Sequence, residues 1–148
     1  MTKTKKRPSV GVGVLVINSK GEILLSRRLK PYGFRKLALP GGHVEWMESH
    51  RETALREVKE ESGIRLRKVE ELRDYTEEIN KRVGKHYVTF YLIAKANGQE
   101  PKDTEPYKHG PWGWYDPFNL PSYAWEPTKR LIKRSGAQIR EWIERNIK

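Results

Sequence analysis

The spacing of apolar positions predicts a β-hairpin in the first part of the chain. Residues 10–17 alternate glycine with β-branched and other aliphatic side chains, which is typical of a buried strand. Residues 18–21 supply a turn that ends in glycine, and residues 22–28 continue as a second strand. A polar loop over 30–36 follows. It leads to Gly41-Gly42, where the backbone can approach another group closely.

A helix is predicted next, because apolar side chains recur at three- and four-residue spacing within residues 49–62. Ser49 or Glu48 stands at the N-cap position, and Gly63 supplies a C-terminal stop. Three further strands and a terminal helix complete the pattern, and their expected ranges are 64–75, 86–96, 112–115 and 128–147. Ser135-Gly136 divides the last helix in two on this interpretation. The order of elements predicts an α+β fold.

Length and composition narrow the class of protein. The 148 residues suit one domain, expected over 1–148, with a basic and flexible N-terminus at 1–7. The sequence has no cysteine, so thiolate chemistry and disulfides are excluded. No apolar run approaches the roughly 20 residues of a membrane span. We therefore expect a cytoplasmic protein with no membrane partner.

The net charge of +11 is unevenly distributed. Basic residues are concentrated near both ends of the chain, and carboxylates are concentrated in the centre. A basic surface favours polyanionic partners, so nucleic acid remains possible although nothing requires it. The alternative is that these lysines and arginines only solvate exposed faces.

The central carboxylates predict a metal site. Six glutamates lie between residues 45 and 61, and Glu57, Glu60 and Glu61 have the i, i+3, i+4 spacing that puts side chains on one helix face. Like charges repel there unless a cation lies among them, and Mg²⁺ or Mn²⁺ prefers carboxylate oxygens. A charged, solvated helix face is the alternative that the spacing leaves open.

A longer motif includes these glutamates and resembles the Nudix box at every defining position. It comprises Gly42, Glu48, Arg56, Glu57, Val58, Glu60, Glu61, Gly63 and Ile64. The resemblance implies an α/β/α sandwich with a mixed sheet. It also implies a metal site formed by the three helix glutamates and the carbonyl of Gly41, with Arg56 orienting the glutamates. By the same resemblance Glu48 has a structural role, while Glu45 could add an outer contact.

The resemblance extends over about residues 8–135 and is closest to the MutT-type sanitisers of the nucleotide pool, the 8-oxo-dGTP diphosphatase-like branch. That branch has a Glu-Pro-Glu-Lys segment near the metals. Here the segment reads Glu105-Pro106-Tyr107-Lys108, so the first glutamate is kept and the second is replaced. Glu105 is thus the candidate fourth metal ligand or general base, and the alternative is a loop carboxylate in water.

Aromatic residues are the candidates for nucleobase recognition. The resemblance places Trp125 against the base, and Glu126 beside it could accept hydrogen bonds from a guanine edge. Trp112 and Trp114 alternate, so one is expected to face the core and the other a cleft. Further candidates for the same pocket, besides Trp114, are Tyr32, Phe34 and His43.

The expected function is Mg²⁺- or Mn²⁺-dependent hydrolysis of a nucleoside triphosphate to the monophosphate and pyrophosphate, with oxidised purine nucleotides among the substrates considered. The alternatives are another diphosphate-linked substrate (a sugar nucleotide, a capped RNA end or an isoprenoid diphosphate) and a binding regulator without turnover. The ADP-ribose branch has a proline downstream of the box where this chain has Asn80. A homodimer through the last helix stays open.

Overall fold

The computed structural model describes residues 5–147. Residues 1–4, which belong to the N-terminus expected to be flexible, lie outside the described residues. Neither helix in the described range is long and apolar enough to cross a membrane. In chain order the elements are β1 (Ser9–Ile17), β2 (Ile23–Arg28), β3 (Leu37–Ala38), β4 (Gly41–His43), α1 (His50–Ser62), β5 (Glu70–Asn80), β6 (Lys85–Lys95), β7 (His109–Tyr115) and α2 (Glu126–Asn146).

The strands form one mixed sheet with the order β3-β2-β1-β6-β5. β4 also pairs with β1, and β7 pairs with β2. The β1–β6 pair is parallel and runs from Ser9 opposite Tyr87 to Ile17 opposite Lys95, while the other pairs are antiparallel. This long parallel pairing joins the hairpin region to the second half of the chain.

Alternation along β1 divides the core between the two faces of the sheet. Val12, Val14 and Val16 belong to a buried cluster that includes Ala54 and Val58 of α1. The intervening Leu15 and Ile17 join a second cluster, which contains Leu131, Ile139 and Trp142 of α2. One helix therefore covers each face, as period-two alternation requires. The expected α/β/α sandwich is confirmed.

Helix α1 has the termini that the sequence predicted. The Ser49 hydroxyl accepts a hydrogen bond from the Glu52 amide, and the Glu52 carboxylate accepts one from the Ser49 amide. This is a capping box. Gly63 ends the helix with φ of +74°, a left-handed conformation that glycine adopts without steric cost. These caps fix where the box glutamates begin and end.

Helix α2 is continuous but bent at Ser135, whose φ and ψ are not helical. The Ser135 hydroxyl donates to Asp74 of β5 at 2.6 Å, and this contact holds the bend against the sheet. The expected division of the helix at this point is therefore a kink. Ile139 and Trp142 are buried on the sheet, so they pack within the chain.

The range 64–75 that was predicted for the strand after α1 was wrong. Residues 64–69 are mostly irregular, although Ile64 and Val69 are buried, and β5 runs from Glu70 to Asn80. β5 lies at the edge of the sheet and is rich in charged side chains, so it lacks the apolar pattern of a central strand. The aromatic strand begins at His109, three residues before the expected Trp112.

Candidate active site

The two glycines of β4 bring the backbone into contact with two glutamates of α1. The amide of Gly41 donates to Glu61 Oε1 at 2.8 Å. A Cβ on Gly42 would lie 2.3 Å from the carboxyl carbon of Glu57. Glycine is therefore needed at position 42 for the Glu57 carboxylate to lie where it does.

Arg56 connects the box glutamates through one guanidinium. Its Nε and Nη2 donate to the two carboxylate oxygens of Glu48 at 2.8 and 2.9 Å, which is a bidentate pair. Its Nη1 donates to Glu57 at 2.7 Å and lies 3.4 Å from Glu60. Nη2 also donates to the carbonyl of His43 at 3.0 Å. The arginine thus fixes helix α1 to the loop that precedes it.

These contacts shift the ionisation of both partners. Hydrogen bonds from Arg56, and then from Thr53, lower the pKa of Glu48 to about 2. The hydrogen bond to Glu48 raises the pKa of Arg56. Partial burial opposes this rise, and the hydrogen bond to Glu57 adds to it. Glu48 and Arg56 therefore form a charged pair at any ordinary pH. Glu45 is a weaker neighbour, with an oxygen 3.7 Å from Nη1 of Arg56.

Glu57 lies among negative charges that Arg56 offsets only in part. Burial raises its pKa most, the Arg56 hydrogen bond opposes that shift, and the charges of Glu61 and Glu60 raise it further. The charges of Glu60 and Glu61 therefore act on Glu57, as their helical spacing predicts. The Glu60 side chain is half exposed.

Among the described residues, only Glu61, Glu105 and His109 have ligand atoms close enough together to hold one metal ion, and Glu57 and Glu60 do not join this group. One ligand atom from each lies within 4.8 Å of the other two. Glu61 is only 5% exposed. The buried Nε2 atom of His109 lies 2.5 Å from Glu61 Oε2, which is an ion-pair distance when the imidazole is protonated, although the angle is not that of a hydrogen bond. Two carboxylates and an imidazole so close together are a donor set that a divalent cation can use.

Sequence reasoning missed His109. Its Nδ1 lies 3.3 Å from the hydroxyl of Ser26 on β2, a residue 83 positions earlier in the chain. The available signal was the i, i+4 spacing of Glu105 and His109. Glu105 itself is held by Lys108, whose Nζ lies 3.2 Å from its carboxylate.

A cavity of about 640 Å³ opens beside the β4 glycines on the α2 face of the sheet. Four aromatic side chains lie side by side along one wall of this cavity. His43 and Tyr87 have ring centroids 5.7 Å apart, Tyr87 and Tyr32 are 6.1 Å apart, and Tyr32 and Trp125 are 5.3 Å apart. We call these four residues the aromatic wall. It extends from the box loop to the start of α2, and it suits a flat, stacked ligand.

Arg28 lies between the glutamates and the aromatic wall. Its Nε donates to the carbonyl of Tyr32 at 2.9 Å, and its guanidinium carbon lies over the Trp125 ring, 5.0 Å from the centroid. Burial lowers the pKa of Arg28, while nearby Glu61 and Glu78 are among the groups that raise it. A largely buried cation therefore lies where the cavity meets the carboxylates. The sequence pattern marked Arg28 only as the end of a strand.

Three expected pocket residues do not line the cavity. Phe34 is half exposed and contacts the guanidinium of Arg35. Trp114 packs against the α1-side core and donates to Glu100 at 2.8 Å. Glu126 is exposed and lies 3.2 Å from Lys129. The other three candidates, which are Trp125, Tyr32 and His43, do line it.

The architecture and the carboxylate-rich helix define the class of fold and site, and comparison with known proteins identifies the family. A family model described as NUDIX domain matches residues 7–135. The chain belongs to the Nudix family. The crystal structure of a MutT NUDIX hydrolase from Burkholderia pseudomallei superposes with a TM-score of 0.79 at 31% identity, covering 86% of this chain and 98% of that one.

Two curated relatives show how varied the matched activities are. An ADP-ribose pyrophosphatase of Methanocaldococcus jannaschii is 30% identical over 126 residues, which is 85% of this chain and 72% of the relative. An m7GpppN-mRNA hydrolase (NUDT17) of Xenopus laevis is 45% identical over 62 residues. That match covers 40% of this chain, and the chain spans only 21% of the frog enzyme.

Proposed function

We propose that this protein hydrolyses a nucleoside triphosphate to the monophosphate and pyrophosphate in the presence of Mg²⁺ or Mn²⁺. The observation that carries the proposal is the junction at Arg28. On one side, Arg28 pairs across the strands with His109, whose Nε2 lies 2.5 Å from Glu61 of the box. On the other side, its guanidinium lies over Trp125 in an aromatic cavity large enough for a nucleoside. A substrate with a polyphosphate at one end and a base at the other fits both halves.

The residues present fit a divalent metal. Carboxylate oxygens dominate the donor set, as Mg²⁺ and Mn²⁺ prefer. We assign the ligand positions to Glu57, Glu60, Glu61, Glu105 and the carbonyl of Gly41. The close approach of Glu61, Glu105 and His109 supports a cation beside Glu61. When bound, such an ion neutralises phosphate oxygens and lowers the pKa of a water molecule that attacks phosphorus.

Protein side chains would bind the phosphate groups, position the glutamates and supply a general base. Arg28, which lines the cavity, would pair with a phosphate oxygen, since a guanidinium suits bidentate contacts with phosphate. Arg56 keeps the glutamates in position by its contacts with Glu48 and Glu57. Glu105, whose carboxylate is largely buried, is the candidate general base or a further ligand.

The aromatic wall would bind the base. Arg28 covers one face of Trp125, so a base would stack on the remaining face or against the tyrosines. Such stacking contributes on the order of 1–3 kcal/mol per base. It does not by itself distinguish one base from another.

A substrate panel with product analysis tests the proposal. The four nucleoside triphosphates and their deoxy forms, 8-oxo-dGTP, ADP-ribose, a diadenosine polyphosphate and a 5′-capped oligonucleotide would be compared at equal Mg²⁺. We expect the highest kcat/KM for a triphosphate, with pyrophosphate and monophosphate as products. Release of single phosphates, or a higher kcat/KM for ADP-ribose or capped RNA, would contradict the proposal.

The cavity rim favours one alternative. Lys30 and Lys85 line the cavity, and Lys85 follows the basic turn that contains Lys81 and Arg82. These charges could contact the phosphates of an RNA chain whose 5′ end enters the site. A 5′-triphosphorylated oligonucleotide would then be a better substrate than a free triphosphate, and strong salt dependence would accompany that preference.

A further inference from the structure

Glu78 is a cavity carboxylate far from the Nudix box in sequence. It lies on β5 directly opposite Tyr87 of β6, so the two side chains are cross-strand neighbours on the α2 face. Among the described residues that line the cavity it is the only acid. Its side chain is 16% exposed.

Two donors hold the Glu78 carboxylate in place. The Tyr32 hydroxyl donates to Oε2 at 2.9 Å, and Nη2 of Arg130 donates to Oε1 at 3.1 Å. Burial, followed by the hydrogen bond to Glu78, raises the pKa of Tyr32, so its hydroxyl stays protonated and remains a donor. A carboxylate has about four lone-pair sites, so each oxygen can still accept a hydrogen bond from a ligand.

Two adjacent acceptors select a ligand edge with two adjacent donors. Guanine presents N1–H and the 2-amino group side by side. Adenine and cytosine place an amino donor next to a ring acceptor, and the N–H of uracil lies between two carbonyl oxygens. A carboxylate therefore pairs doubly with guanine alone among the common bases, and charge-assisted hydrogen bonds are the strong ones.

We propose that Glu78 recognises the N1–H and 2-amino edge of a guanine base stacked on the aromatic wall. The proposal rests on the proposed function only in placing a nucleotide in this cavity. Sequence reasoning gave this role to Glu126, whose side chain is exposed and close to Lys129. Glu78 is held inside the cavity, and Glu126 does not line it.

The competing role for Glu78 is structural, because Arg130 belongs to α2 and Tyr32 to the loop over 30–36. A purely structural anchor would change stability when altered but would leave the ranking of bases unchanged. The ranking of ligands is therefore the informative measurement.

Binding of nucleoside monophosphates by calorimetry tests the proposal without turnover. GMP, IMP and AMP differ at the relevant edge, because IMP lacks the 2-amino group and AMP lacks both donors. We expect wild-type affinity in the order GMP, IMP, AMP. The expected gap between GMP and IMP is about tenfold or more, since a hydrogen bond to a charged group contributes that much.

The variant Glu78→Gln keeps the shape and replaces one acceptor with a donor. We expect GMP affinity to fall about tenfold or more, with AMP affinity changed less than about twofold. Glu77→Gln is the matched control, because Glu77 is the adjacent β5 residue and contacts His86, away from the cavity. Its ligand ranking should equal that of the wild type.

Equal wild-type binding of the three monophosphates, no measurable binding of any, or an equal loss for all three in Glu78→Gln would overturn the proposal. If Glu78→Gln does not fold, the wild-type ratio of GMP to IMP decides. If the GMP preference holds while no triphosphate is cleaved, the base assignment stands and the proposed triphosphate substrate is wrong.

Discussion

Arg56 makes contacts that lysine cannot reproduce. Its planar fork pairs bidentately with Glu48 while Nη1 reaches Glu57. We predict that Arg56→Lys lowers kcat tenfold or more, about 1.4 kcal/mol of barrier, because the glutamates lose their fixed positions. Steady-state kinetics would check this, with Arg51→Lys on the exposed side of the same helix as control. Wild-type turnover in Arg56→Lys would refute the orienting role.

The ionisation of Glu48 makes the free energy of unfolding depend on pH. Its folded pKa is lowered to about 2 from an ordinary 4.5, so its stabilising contribution is complete above the ordinary value. That contribution is lost as pH falls through the folded pKa. We predict that the unfolding free energy of Glu48→Gln is lower than that of the wild type at neutral pH. The difference should shrink as pH falls from 4.5 towards 2. Urea denaturation across this range measures it, and a difference independent of pH would contradict the assignment.

Met47 carries backbone strain in the loop before α1. Its φ is +67°, a left-handed conformation that costs a non-glycine residue roughly 1–2 kcal/mol, and its side chain is exposed. We predict that Met47→Gly raises the free energy of unfolding by up to about 1 kcal/mol, because the greater flexibility of unfolded glycine offsets part of the relief. Met47→Ala is the control and should give no gain. Chemical denaturation that finds both variants equal would contradict the strain argument.

The sequence could place the box side chains but not their distant partners. Helical spacing put Glu57, Glu60 and Glu61 together because those positions are local to one helix. His109 and Arg28 escaped notice because their surroundings come from strand pairing, in which the two residues face each other across β2 and β7. Contacts between residues so far apart in sequence leave no periodic signal.

At the scale of elements, α2 contains a glycine that lowers the stability of the helix. Gly136 lies within the helix, and a Cβ added there would meet nothing within 4 Å. We predict that Gly136→Ala raises the free energy of unfolding by about 0.5–1 kcal/mol, since alanine loses less backbone entropy in a helix. Thermal and urea denaturation would check the gain. A loss of stability would mean that the bend at Ser135 needs glycine beside it.

The same scale shows which elements a pattern can define. The ends of α1 were predictable because Ser49 and Gly63 act through local capping geometry. The range of β5 was mispredicted because an edge strand carries charges on both faces, so alternation does not mark its ends. The expectation that one of Trp112 and Trp114 faces a cleft was wrong, because side chains two positions apart on a strand share a face, and both pack against the α1-side core.

At the scale of the whole molecule, the site depends on how the two halves of the chain meet. The parallel β1–β6 pair brings Tyr87 beside the hairpin region, and the start of α2 brings Trp125 over Gly33. A Cβ on Gly33 would lie 2.1 Å from the Trp125 ring, so this approach also requires glycine. The family motif predicted the fold and the carboxylates, whereas the cavity follows from tertiary packing.

The most direct test of metal-dependent pyrophosphate cleavage is the rate of pyrophosphate release from a nucleoside triphosphate. It would be measured with Mg²⁺, with excess chelator, and for Glu61→Gln beside the exposed α2 control Glu141→Gln. We predict that chelator abolishes release, that Glu61→Gln lowers kcat about 100-fold or more, and that Glu141→Gln equals the wild type. Full activity in chelator, or wild-type turnover in Glu61→Gln, would contradict the assignment of these carboxylates to a catalytic metal site.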